Sequence, residues 1–305
     1  MKIWQPEPGE MLLSRAPVAF ATGAATRVRG MRWFRDPQRN DIQHELPGWP
    51  EGPSYTARST GSVVAHKSLK VAAMTVGVAI LAFLSSAGGN ISGSGHAKDE
   101  SSDTPDEPAD EVDDFPVMWA EAGTLARTLP WQLDPGRADE KHYRTHLIVT
   151  DRRLVVVGLP YHKKDLKLID DELLWECPRA DIRSIELKNF KDGTDFRVQF
   201  VDGSWCRLSS VWRVKLLQYV VPPRELIPME SLTPQQRATV EDFAAQHQMP
   251  ESFSPILIRR PSGRIRVDII PPSNFKSATG ASEVTMTMDT SGRKVDINDY
   301  LPEDF

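Results

Sequence analysis

The residues of this 305-residue chain whose types could do chemistry are a cluster of histidines, two cysteines, a serine pair and a run of lysines. His142, His146 and His162 lie close together in sequence, and imidazole is a common zinc ligand. Zinc needs three or four ligands converging at tetrahedral geometry, whereas His142 and His146 fall on one side of a predicted strand, about 13 Å apart at about 3.3 Å per residue. No metal site is expected. Cys177 and Cys206 are the only cysteines, too few for a disulfide framework or a multi-thiolate zinc site. Their predicted strands are three positions apart in a meander, about 14 Å, while bridged Cα atoms lie within about 7 Å. They read as buried free thiols, small core hydrophobes. Ser209–Ser210 lack the Gly-x-Ser-x-Gly elbow of a nucleophile, and no phosphate-binding or Rossmann glycine pattern occurs. Neither a catalytic residue nor a cofactor is expected.

Binding is the chemistry that remains. Lys163, Lys164 and Lys167 share one predicted loop, and Lys188 and Lys191 lie beside another, so charge-assisted hydrogen bonds to a lipid headgroup or an anionic partner are available. Asp165, Asp170 and Asp171 interleave with the first set, and solvated loop lysines are the plainer reading. Arg29, Arg32, Trp33, Phe34 and Arg35 form a second candidate, a membrane-interface patch with rings at headgroup depth and guanidinium groups toward anionic lipid. Its plainer counterpart is a solvated loop with a tryptophan partly tucked in.

The segments that must position these residues differ sharply in composition. Residues 1–66 are rich in Trp, Pro and Arg and read as a basic, aromatic juxtamembrane region. Residues 67–89 contain the uncharged run VAAMTVGVAILAFLSSA (71–87), at the short end of what crosses a hydrocarbon core of about 30 Å. One transmembrane helix is expected there, and a core helix or cleaved signal are the alternatives. Residues 90–114 read as an acidic flexible linker, since a stretch so rich in Gly, Ser, Pro and carboxylates buries too little apolar surface to offset its ordering entropy. Its carboxylates lack the spacing of a calcium loop. Lysines before the apolar run outnumber those after it, which favours a cytoplasmic N-terminus in a single-pass protein of the cell membrane. Unbridged cysteines in the large C-terminal part pull the other way. Because the only basic section precedes the apolar run and the rest is balanced or acidic, the partners expected are a lipid bilayer and another protein, and not nucleic acid.

Residues 115–250 carry the compact part. Strands are predicted at 143–150, 153–159, 173–177, 182–189, 195–201 and 204–209. Phe196, Val198 and Phe200 alternate with Arg197 and Gln199, the period of two of a half-buried strand. Asp192–Gly193 and Asp202–Gly203 supply the turns. A helix is predicted over 211–220. A second begins at Thr233, with Pro234 at its first position and Gln236 closing a capping box. Residues 251–305 read as a hairpin, 256–260 with 264–270, and a polar tail. The fold class is mainly β with α: a small curled antiparallel barrel or sandwich with a C-terminal helix, preceded by the transmembrane helix and linker.

The segments THLIVTDRRLVVVG, LLWECPRADIRSIEL and FRVQFVDGSWCRL, in that order, resemble the bacterial pleckstrin-homology-like and GRAM-like domains over about residues 140–220. The resemblance implies a strongly bent antiparallel sheet closed by a helix, used for lipid headgroups or protein partners. The function expected is a membrane-anchored, non-catalytic binding or scaffolding protein. The alternative is a membrane-associated enzyme or enzyme subunit acting on an envelope substrate.

Overall fold

The computed structural model describes residues 3–51, 55–62, 111–134, 143–160, 170–271 and 282–304. In chain order the elements are β1 (Leu12–Pro17), β2 (Ala19–Phe20), β3 (Phe34–Arg35), the single turn α1 (Glu111–Asp114), β4 (Met118–Trp119), β5 (Tyr143–Thr150), β6 (Arg153–Pro160), β7 (Glu172–Pro178), β8 (Ile182–Leu187), β9 (Asp195–Phe200), β10 (Trp205–Ser209), α2 (Arg213–Leu217), α3 (Pro234–Gln246), β11 (Ile256–Arg259), β12 (Ile265–Ile269) and β13 (Val284–Met288).

A meander runs from β5 to β10 and bends once, through the short helical turn Arg179–Asp181, so that β5–β6–β7 belong to one sheet and β8–β9–β10 to another. One N-terminal stretch joins the two sheets at the opposite side. β1 pairs antiparallel with β5, setting Ala16 against Leu147, and two residues later β2 pairs with β10, setting Phe20 against Leu208. β4 lies against the other end of β10 and carries β3 in parallel. The turns at Gly193 and Gly203 take φ of 63° and 89°, the left-handed region that a residue without Cβ enters freely.

Alternation distinguishes the two sheets. In β9 the inward Phe196, Val198 and Phe200 are fully buried and Arg197 and Gln199 are not, as one covered face requires. β5 and β6 are buried nearly throughout, because both faces are covered. Leu147, Val149, Leu154 and Val156 point into the main core with Phe20, Phe34, Phe196 and Cys206. Ile148, Val155 and Val157 pack on the other side with Leu12, Phe253 and Ile270. Each such side chain contributes about 1.5–3 kcal/mol when fully removed from water.

The C-terminal part is a three-stranded sheet, β11–β12–β13, covered by α3. The Thr233 hydroxyl accepts from the Gln236 amide and the Gln236 side chain accepts from the Thr233 amide, which closes the capping box. Val240 and Phe243 meet Leu257, Val267 and Met286 across this interface. The polar tail expected after 270 is corrected here: β13 pairs with β12 over five residues, from Ile265–Met288 to Ile269–Val284. Thr285 and Thr287 look polar in sequence, but Thr285 spends its hydroxyl on Asp268, and Thr287 is buried.

The single-pass arrangement is also corrected. Among the described residues no helix is long and apolar enough to cross a membrane, and the expected span, 71–87 within 67–89, lies outside the described residues. The pairing supplies the physical reason. β1, β2 and β3 precede that segment and bond to β5, β10 and β4, which follow it. One crossing would put those hydrogen-bonded partners on opposite sides of a bilayer. Within the region expected at 1–66, β1, β2 and β3 pair with strands of the compact part, and Glu111–Asp114, expected as linker, is a helical turn with Asp114 buried.

Candidate functional site

The surface that stands out is the corner where β10 turns into α2. Ser210 makes the turn: its amide donates to the Thr194 carbonyl, its hydroxyl accepts from the Trp212 amide, and its carbonyl accepts from the Arg213 amide. The Arg213 guanidinium then reaches back to the carbonyls of Lys188 and Asp195, tying the 188–194 loop to the corner. Leu216 and Leu217 are buried in the core, and the Leu216 carbonyl accepts from the Ser14 hydroxyl of β1. With α2 fixed this way, three large apolar side chains face solvent in succession: Val211 at 56% exposure, Trp212 at 43% and Val214 at 67%.

Beside them opens a cleft of about 40 Å³ between β1, α2 and the C-terminal sheet. Ser14 and Ala16, Trp212 and Lys215, and Ile270 and Glu283 are among its walls. That volume holds a few waters, room enough for the tip of a side chain. Lys215 closes one edge through an ion pair of 3.2 Å with Glu283.

The sequence candidates are distributed differently. Lys188 lies in the loop held by Arg213, with its ammonium 3.8 Å from Glu186, and Lys191 is exposed in the same loop. Lys163, Lys164 and Lys167 lie outside the described residues, as do His142 and His162. The interfacial patch is not an interface. Phe34 is fully buried and packs edge-on against Phe20 and Trp49. Trp33, 8% exposed, stacks on Phe115, and the Arg35 guanidinium lies 3.8 Å over its ring. Arg32 pairs with Asp134 at 3.4 Å and Arg29 with Asp192 at 3.2 Å. These rings cannot reach lipid without dismantling the core, and the arginines serve intramolecular pairs.

The ionisable groups buried in the fold are occupied in holding it together. His146 accepts a hydrogen bond at Nδ1 from Arg15, whose guanidinium also grips Asp171. Asp268 accepts from Tyr219, Arg266 and Thr285; burial and then the Asp268 carboxylate push the Tyr219 phenol far up. Burial also raises the Asp195 carboxyl, against the pull of Arg207. Cys177 and Cys206 are buried free thiols. Burial, reinforced by Asp181 and Asp202, pushes Cys177 up to about 11, and burial raises Cys206 as well. Such thiols are poor nucleophiles. Among the described residues no group of three His, Cys, Asp or Glu could hold a metal ion.

Sequence reasoning passed over Val211, Trp212 and Val214 because it assigned 211–220 to a helix without asking which of its sides the core covers. The signal was present: apolar residues at 211, 212, 214, 216 and 217 surround the helix axis, and a helix apolar all round needs cover on more than one side. The core supplies it on one side only. No family model, curated relative or solved structure matches this chain.

Proposed function

We propose that this protein is a non-catalytic binding module that recognises a protein partner through the Val211–Trp212–Val214 corner. The observation that carries the reading is Trp212, 43% exposed at the mouth of a cleft and flanked by two exposed valines on a turn pinned from both sides. Tryptophan is enriched among the few residues that dominate binding energy, and it acts when seated beside a pocket on rigid backbone. Contiguous exposed apolar side chains of this kind mark interaction sites on monomeric proteins. The resemblance of residues 140–220 to pleckstrin-homology-like and GRAM-like domains supports a recognition role as well. Of the ligands that resemblance implies, a protein fits an apolar corner better than a lipid headgroup does.

A photo-cross-linking residue placed at Val214 in the full chain, in cells that express it, tests this. A discrete adduct with one protein is expected, lost when Trp212→Ser is added and missing when the cross-linker sits at Ala238, exposed on α3. No adduct, or equal adducts from both positions, defeats the reading.

A further inference from the structure

We infer that the segment taken by this corner is a short acidic stretch of the partner that also carries apolar side chains. The inference rests on the reading of the corner as the recognition surface and adds the chemistry of its ligand. Cations border the corner on two sides, the 188–194 loop and the cleft. Lys188 and Lys191 are brought alongside by the loop that Arg213 and Ser210 hold, Arg213 itself sits within the turn, and Lys215 flanks the cleft. The acids nearby are already engaged: Glu283 with Lys215 at 3.2 Å, Asp192 with Arg29 at 3.2 Å, and Glu186 with Arg197 at 3.0 Å. Lys191 is exposed and has no ion-pair partner among the described residues. Lys188 and Lys215 are themselves paired with Glu186 and Glu283, so the charge a ligand meets at the rim is that of Lys191, which steers an acidic segment and offers it a charge-assisted hydrogen bond.

Size selects a segment over a globular face. Val211, Trp212 and Val214 are three part-exposed side chains, a small patch by the standard of folded partners. A stable interface between folded partners buries about 800 Å² on each side. A cleft with room for one side-chain tip, beside an apolar strip with a cationic border, suits an extended or single-turn peptide with one anchoring apolar residue.

Selection of a displayed library of random dodecapeptides against the full-length protein tests the inference. The enriched pool is expected to combine Asp and Glu with Leu, Phe or Trp. Its binding should fall about tenfold or more, the cost of losing a central aromatic anchor, in Trp212→Ser and in Val214→Glu. Both positions are exposed, and unchanged thermal melting shows that each variant is folded. Lys188→Glu combined with Lys191→Glu should weaken binding several-fold, as should raising the salt from about 0.05 to about 0.5 M, where screening shortens the reach of charge. A neutral or basic pool that still depends on Trp212 overturns the acidic ligand and leaves the recognition surface standing. A pool indifferent to Trp212→Ser, or no enrichment at all, overturns both.

Discussion

Arg15 of β1 closes on Asp171, at the entrance to β7, through two hydrogen bonds of 2.8 and 2.7 Å, with both side chains almost fully buried. The same carboxylate accepts from the Trp4 amide. One ion pair thus fastens the N-terminal segment to the meander. Asp171→Ala strips a buried cation of its carboxylate and should cost about 3–5 kcal/mol, whereas Arg15→Met with Asp171→Leu should cost much less, because the desolvation of both charges disappears with them. Urea denaturation of the three proteins measures the difference; equal losses would contradict this account of the pair.

Strands on both sides of residues 63–110 pair with one another directly, and those pairings involve no residue of that segment. Its replacement by a Gly/Ser stretch of equal length should leave the melting temperature within about 2 °C, no more than a loss of about 1 kcal/mol produces in a domain of this size. Collapse of the fold in that variant would show that the segment carries part of the core.

Phe34→Ala opens a cavity where the ring now meets Phe20 and Trp49, and the expected loss is about 3–5 kcal/mol. An interfacial phenylalanine would show no such loss, so differential scanning calorimetry separates the two roles.

Glu10 makes stability depend on acid. Burial works to raise its carboxyl, but hydrogen bonds from Arg153, the Glu7 amide and Thr150 outweigh burial and hold it below the ordinary value of 4.5. A carboxyl whose pKa is depressed on folding contributes stability that is present above its unfolded pKa and lost as pH falls through the folded one. Wild type should therefore lose stability below about pH 4.5 more steeply than Glu10→Gln, while the variant should be weaker at pH 7 by about 1–3 kcal/mol. Parallel pH profiles for the two proteins would exclude the contribution.

Gly292 has φ of 87°, and a Cβ there would lie 2.9 Å from the Gln236 amide at the start of α3. Gly292→Ala should destabilise the contact between α3 and the turn after β13, where Gln236 and Thr239 donate to the carbonyls of Thr290 and Gly292. Hydrogen exchange should then rise in α3 and β13 ahead of β5 and β6; uniform exchange would mean that the whole fold gives way together.

What the sequence determined by itself is local. Strict alternation in Phe196–Phe200, glycines in the two turns and the Thr233–Gln236 box each depend on neighbours a few residues away, and the strands and α3 stand within one or two residues of where those signals put them. The apolar stretches of β5 and β6 marked strands, while the cover on both their faces came from segments distant in sequence. Tertiary structure alone decided what lies far apart in sequence. It brought β1 to β5 and Arg15 to Asp171, and it made Trp33 and Phe34 core residues where their basic flanks suggested a membrane surface. It also left Val211 and Trp212 exposed on the turn before α2 and Val214 on its outer side, because a helix can turn only one side to the core and the sequence does not say which side that is.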